Sequence, residues 1–230
     1  VSINDNRILI TGTNGSLGSF LADKYQNPIC ITRENPLTDD IISEGVDTII
    51  HCAFNSKLEE LQEVSKECYK DNVDLTYSLV KVPHRRFIYI SSIQIPPLFI
   101  TPYAIFKQIA EYTVQNNCRN HLILRVSCFL PQPKKQSSFF KIVNGEDITL
   151  TEDSVNDVIY CKNIYDAIKS DLSGTKYLVS RKTITTKETA ELFNSDTKFG
   201  HYHYDVGNLQ SDIDIGKTSE EILKEFFEVE

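Results

Sequence analysis

Arg7-Ile8-Leu9-Ile10-Thr11-Gly12-Thr13-Asn14-Gly15-Ser16-Leu17-Gly18 is the stretch whose reading decides the fold. Its apolar run, Ile8 to Ile10, stops abruptly at Thr11-Gly12, as a strand buried on both faces of a parallel sheet would. Glycines then recur as G-x-x-G-x-x-G, and Leu17, Phe20, Leu21 and Lys24-Tyr25 follow at helical spacing. Glycines at such a junction let the backbone turn sharply and approach a pyrophosphate, to which the helix N-terminus offers unpaired N–H groups. A merely structural turn is the plainer alternative, and the commoner fingerprint is G-x-G-x-x-G. The position after a buried strand and before a helix favours phosphate binding. Asn14-Gly15-Ser16 also matches a glycosylation acceptor, a match read as accidental inside such a loop.

Working outward, further short apolar strands are expected at Ile29–Ile31, Asp47–Ala53, Arg86–Ser91 and His121–Arg125. Helical patterns fill Leu58–Val82 and Tyr103–Asn117. Strands alternating with helices imply crossover units, so the fold class is α/β, a doubly wound parallel sheet of the Rossmann type. From Phe129 the texture changes to a polar, proline-bearing loop. Helical patterns at 139–143 and 164–172 follow, with extended pieces at 177–179 and 183–185 and an acidic amphipathic helix over 218–230. The expected division is a dinucleotide-binding domain over 1–126 and a small substrate-binding portion over 127–230. A strand and helix near 157–172 are expected to return to the main sheet.

Composition excludes several classes. The 230 residues carry 24 Lys plus Arg against 32 Asp plus Glu, a net charge of −8, which argues against nucleic acid or an anionic membrane as partner. No apolar run approaches the roughly 18 to 20 residues of a spanning helix. The first residues lack an apolar secretory core, so a cytoplasmic location is expected. Six widely spaced cysteines without a C-x-x-C pair read as reduced thiols.

The end of the second strand, Ile31-Thr32-Arg33-Glu34, bears on the cofactor. An acidic residue there holds the ribose hydroxyls of NAD, whereas an arginine suits the extra phosphate of NADP. Arg33 is the candidate 2′-phosphate ligand, and NADP is favoured over NAD. Further along, Tyr103 and Lys107 stand at i and i+4 on one helix face. A phenol titrates near pH 10, and a fixed cation beside it favours phenolate. Ser92 ends the fourth strand, at the carboxyl edge of the sheet where ligands bind. Its hydroxyl could hold a substrate oxygen while Tyr103 moves the proton.

With this constellation on the page, the chain resembles the extended short-chain dehydrogenase/reductases, the group of nucleotide-sugar epimerases, dehydratases and 4-ketoreductases. The resemblance rests on Thr11–Gly18 and Tyr103–Lys107, and on Asp47-Thr48-Ile49-Ile50-His51-Cys52-Ala53. It extends through Asn72-Val73-Asp74, Phe87-Ile88-Tyr89-Ile90-Ser91-Ser92 and Asn156–Ile164. It implies Ser92, Tyr103 and Lys107 as catalytic residues. As cofactor-binding residues it implies Gly12, Asn14, Gly15, Ser16, Leu17, Gly18, Arg33, Cys52, Ala53, Phe54 and Ser91, with Tyr103 and Lys107, and no metal. It also implies a possible homodimer through the helices at 58–82 and 103–117.

The departures are informative. Ile93 and Gln94 stand where dehydratases carry two acidic residues, which argues against dehydration. Asn156 stands where many members have an arginine that grips the nucleotide diphosphate, and the Ser92–Tyr103 link, with Pro96-Pro97, is short. Because Arg33 points to exchangeable NADPH, the expected activity is a ketoreductase acting on a sugar or nucleotide-sugar carbonyl. An NAD-dependent 4-epimerase is the alternative, and a non-catalytic cofactor sensor or scaffold a third. Elsewhere, His201 and His203 read as an exposed aromatic strand rather than metal ligands. His51 reads as a satisfied core histidine. Lys134-Lys135 is a solvated pair that could meet a substrate phosphate.

Overall fold

Leu9 and Ile10 have no exposed surface, and neither have Ile49 and Ile50, because the strands carrying them are covered on both faces. The computed structural model describes residues 7–55, 66–95, 100–131 and 137–228. Within these, β1 (Ile8–Thr11) leads through the glycine turn into α1 (Ser16–Ala22). Then come β2 (Ile29–Ile31), α2 (Asp39–Glu44) and β3 (Val46–His51). A helical run follows: α3 (Lys66–Tyr69), a π-helical turn (Lys70–Asp74) and α4 (Leu75–Leu79). Next are β4 (His84–Ser92), α5 (Pro102–Asn117) and β5 (His121–Val126). Of the expected helix at 58–82, the part over 58–65 lies outside the described residues, as do Pro96-Pro97 and Lys134-Lys135.

The main sheet has the order β2-β1-β3-β4-β5-β9, its last strand β9 being Gly174–Leu178. β1 pairs in parallel with β2 on one side and β3 on the other, and β3 with β4. The chain therefore reverses direction across the sheet at β1, which is the topological switch point where such sheets bind ligands. Thr11 and His51 face each other in register there. α5 starts where it does because Thr101 caps it, its hydroxyl accepting from Ala104 N–H at 3.1 Å, with Pro102 in the first turn. That start sets Tyr103 in the first turn, while Ala110 and Val114 pack into a core with Leu79, Phe87 and Ile123.

The chain divides into two compact units, Val1–Arg125 with Tyr165–Lys176, and Val126–Ile164 with Tyr177–Glu230. The second contains β6 (Cys128–Leu130) parallel to β8 (Val158–Tyr160), and β7 (Val155–Asn156) antiparallel to β10 (Ile184–Thr185). α6 (Ser138–Val143), α8 (Thr186–Leu192) and α9 (Ser219–Phe227) enclose a core with Leu130, Phe140, Ile222 and Leu223. The strand near Val158 thus does not return to the main sheet. What does is the stretch beyond α7 (Cys161–Lys169). The physical reason is Arg86 on β4, whose guanidinium donates to the carbonyls of Ile168, Ser170 and Leu172 at 2.9–3.0 Å, collecting acceptors left open at the helix end. All six cysteines are free thiols. Among the described residues no helix is long and apolar enough to cross a membrane.

Arg86→Ala should therefore lower Tm by about 5–10 °C, since three charge-assisted bonds to half-buried carbonyls are lost. Arg85→Ala, which removes a half-exposed pair with Asp47, should shift it far less. Thermal unfolding followed by circular dichroism checks both, and equal shifts would contradict the role given to Arg86.

Candidate functional site

The glycine turn is shaped by close approach. Gly12 has φ of +74°, and a Cβ there would lie 2.8 Å from the main chain of Ala53. A Cβ on Gly18 would lie 2.1 Å from the Gly12 carbonyl oxygen, so the first turn of α1 packs directly on the loop. Gly15 differs. A Cβ there would meet only the Gly12 carbonyl oxygen, at 3.2 Å, among the described residues. As N-cap of α1 it also brings no side chain to the first N–H groups. Two glycines thus build the turn, and the third, at the helix start, puts no side chain over the first N–H groups, an arrangement that would suit a pyrophosphate. Leu17 is buried in the core, so any contact it makes to a ligand is through its main chain.

The Thr11 hydroxyl fixes how this loop meets the end of β3. It accepts from the Cys52 and Ala53 N–H groups at 3.2 and 3.0 Å. Its own proton therefore goes to His51 Nδ1, 2.7 Å away. His51 Nε2–H then donates to the Thr76 hydroxyl at 2.9 Å, which donates to the Asn72 carbonyl at 3.2 Å. The chain of donors admits one tautomer, neutral with the proton on Nε2. Burial, with Lys107 nearby, pushes the imidazole down to about 3. As expected of a core histidine, both ring nitrogens are satisfied. Asn72, in the π-helical turn, holds the next residues: its side chain accepts from Asn55 N–H at 2.7 Å and donates to the Asn55 carbonyl at 3.1 Å.

Ser92, Tyr103 and Lys107 all come from the first unit. Lys107 is 5% exposed, and its ammonium donates to the Ile90 carbonyl at 2.9 Å. It lies 4.6, 5.1 and 6.0 Å from the ring centroids of Phe54, Tyr89 and Tyr103. Burial pushes it down to about 8, opposed by Cys52 and Glu111. The Ser92 hydroxyl accepts from Gln94 N–H at 3.0 Å, which leaves its proton for another acceptor.

Other expected residues are placed differently. The Ser91 hydroxyl is engaged by Glu111 at 2.5 Å, so a ligand would meet only its main chain. Arg33 donates to Asp71 at 2.5 Å and lies 3.5 Å from Glu67. Glu34 accepts from Asn14 Nδ2 at 3.1 Å, and main-chain and side-chain donors hold its carboxyl below the usual range. His203 is exposed beside Asp153, and the described residues bring together no group of three metal-ligating side chains.

Sequence reasoning missed the buried ion pair behind the site. Glu111 is held by Arg125 through Nε at 3.0 Å and Nη2 at 2.6 Å, as well as by Ser91. The available signal was the spacing, since Glu111 follows Lys107 by one helical turn, as Lys107 follows Tyr103.

No protein-family model matches the chain. No curated protein matches it in sequence. Solved structures do match in fold. A dTDP-4-dehydrorhamnose reductase from Yersinia enterocolitica superposes with a TM-score of 0.76 at 21% identity, over 96% of this chain and 98% of that one. The corresponding reductase from Bacillus anthracis, solved with NADP, gives 0.74 at 18%, over 97% and 99%. A UDP-N-acetylglucosamine 4-epimerase from Methanobrevibacter ruminantium gives 0.71 at 17%, over 98% and 99%. The chain shares the fold of these solved enzymes, a Rossmann-type parallel sheet flanked by helices.

His51 should remain neutral and Nε2-protonated from pH 8 to pH 5 in 15N-resolved NMR spectra. Because its folded pKa lies below the unfolded 6.5, the unfolded chain binds the extra proton. This contribution to stability is whole above pH 6.5 and declines as pH falls toward 3, by about 2 kcal/mol at pH 5. Urea unfolding of wild type and His51→Asn measures it, and parallel pH dependences would contradict it.

Proposed function

We propose that the chain is an NAD(P)-dependent oxidoreductase of the extended short-chain type, a ketoreductase acting on the carbonyl of a sugar or nucleotide-sugar. The observation that carries this is the Lys107 ammonium, buried beside the Tyr103 ring on the helix face below it and next to the strand that ends in Ser92. A buried cation is costly unless it serves something, and here it adjoins a phenol at a ligand-binding sheet edge.

The Gly12–Gly18 cradle fits a dinucleotide pyrophosphate on the geometry above. A bound nicotinamide would supply or accept the hydride. The protein's own residues handle the proton. The Ser92 hydroxyl donates to the substrate oxygen and orients it. Tyr103 Oη delivers the proton in reduction and removes it in oxidation. Lys107 favours the phenolate form of Tyr103 by its charge and donates to ribose hydroxyls. Residues 127–230 are assigned to substrate recognition.

Arg33, on the exposed end of β2, is proposed to take the 2′-phosphate of NADP. Its pairs with Asp71 and Glu67 are solvent-exposed and weak enough to exchange. A second reading, an NAD-dependent 4-epimerase, is favoured by a specific observation: the Asn14–Glu34 contact sets a carboxylate against the glycine loop, where ribose hydroxyls would meet it. Tight exchangeable NADPH supports the reductase, whereas stoichiometric NAD that survives dialysis supports the epimerase. Homodimerisation is proposed through α5, where Ile105, Ile109 and Tyr112 are exposed at helical spacing and the exposed Tyr69 packs its ring on Phe106 of the same helix.

Tyr103→Phe should reduce kcat by about 10²–10⁴-fold while cofactor affinity, by calorimetry, stays within about twofold of wild type. Full turnover in that variant would overturn the assignment. Activity should fall above pH 8 as Lys107 loses its proton. Arg33→Ala should weaken NADPH binding by about tenfold and leave NADH unchanged. Equal affinities in both proteins would favour the second reading. Ile109→Glu should give a monomer in sedimentation, and an unchanged dimer would move the interface elsewhere.

A further inference from the structure

Phe54 was expected only to line the cofactor through the segment after β3. Its ring instead lies over both groups assigned to chemistry. The Lys107 ammonium is 4.6 Å from its centroid, and the Tyr103 ring meets it edge-on at 4.8 Å and 69°. Together with Tyr89, these rings leave Lys107 almost no contact with solvent. The ammonium has three N–H donors and one hydrogen-bond acceptor among the described residues, the Ile90 carbonyl. The Phe54 and Tyr89 rings stand 4.6 and 5.1 Å from the ammonium, so a ribose hydroxyl reaching Lys107 competes with an aromatic face.

The main chain on either side of Phe54 is anchored. Ala53 N–H donates to Thr11 at 3.0 Å. Asn55 has both its N–H and its carbonyl held by the Asn72 side chain, at 2.7 and 3.1 Å, while Asn55 Nδ2 donates to Asp71 at 2.9 Å. The backbone therefore has little freedom to shift, and the remaining freedom is rotation of the Phe54 side chain.

We propose that Phe54 is a gating residue: its ring closes over Lys107 in the free protein and rotates away when a nicotinamide dinucleotide binds. This rests on the cofactor reading given above. Closure lowers the population competent to bind, so removing the ring speeds association. It also protects the lysine, whose ammonium is shielded by an aromatic face as in a desolvated cation–π contact.

The test compares wild type with Phe54→Ala and Phe54→Leu, the second keeping apolar bulk should the first fail to fold. Acetylation of Lys107 at pH 8, quantified by mass spectrometry against exposed Lys224, should be at least about tenfold faster in the variants. Stopped-flow association of NADPH, and of NADH, should be several-fold faster. Equal acetylation in all three proteins would overturn the gate. Faster acetylation with unchanged association rates would overturn it too, leaving the cofactor reading intact. If neither dinucleotide binds any of the proteins, the gate and the cofactor reading fall together.

Discussion

The Thr11 hydroxyl is the contact on which the rest of the site depends. It sits at the C-terminal end of β1, at the switch point of the sheet, and takes two main-chain N–H groups from the segment leaving β3. An oxygen that accepts twice has one proton to give, and that proton determines the protonation of His51, which in turn determines the direction of the bond to Thr76 and Asn72. Gly12 must then pass within van der Waals contact of Ala53, which is why no side chain is tolerated there. One hydroxyl thereby ties the glycine loop, the β3 exit and the π-helical turn into a single frame. The π-helical turn carries Asn72 inward, where it secures Asn55 on both peptide groups.

Against this rigid frame, the charge at Lys107 is a balance of opposed terms. Burial disfavours the ammonium, while Cys52 and Glu111 favour it, and the net value of about 8 keeps it charged near neutrality. Three aromatic rings and one carbonyl replace the water it has lost. Burial, with the Lys107 charge nearby, also accounts for the neutrality of His51, whose ring lies 5.3 Å from that of Tyr89. A second cation there would be repelled by Lys107, whose positive charge adds to the effect of burial.

The sheet was legible because buried parallel strands are written as uninterrupted apolar runs. Ile8–Ile10 and Ile29–Ile31 lie in strands as expected. The segment Asp47–Ala53 leaves the strand after His51, because Cys52 and Ala53 turn their N–H groups to Thr11 rather than to a neighbouring strand. α8 went unread, since Thr-Lys-Glu-Thr-Ala-Glu-Leu carries few apolar residues, and a capping box between Thr185 and Glu188 defines its start. The return of the chain to the sheet after α7 depends on Arg86, whose three carbonyl partners lie more than eighty residues away in sequence. Ser92, Tyr103 and Lys107 are singled out by the glycine loop upstream, the strand end and the i, i+4 spacing taken together, since Tyr-x-x-x-Lys alone is a common pattern. The partners that hold them come from other elements and leave no local pattern. Asn156 shows the same limit: its carboxamide donates to Thr186 at 3.1 Å, a structural use that spacing does not reveal.

Ser91 and Ser92 show how one strand serves two purposes. Successive residues of a strand face opposite sides of the sheet, so two adjacent serines cannot both address the same ligand. Ser92 is left with a proton to donate, whereas Ser91 joins Glu111 and Arg125 in a buried network in which every partner is charged or hydrogen-bonded. Glu111 is on the helix that carries Lys107, and Ser91 follows the residue whose carbonyl accepts from Lys107. Helix and strand are therefore joined twice within one turn, by ammonium to carbonyl and by serine to carboxylate. Sliding α5 along β4 would break both links and expose an unpaired buried charge, so the separation of Tyr103 and Ser92 is fixed by contacts that neither residue makes itself.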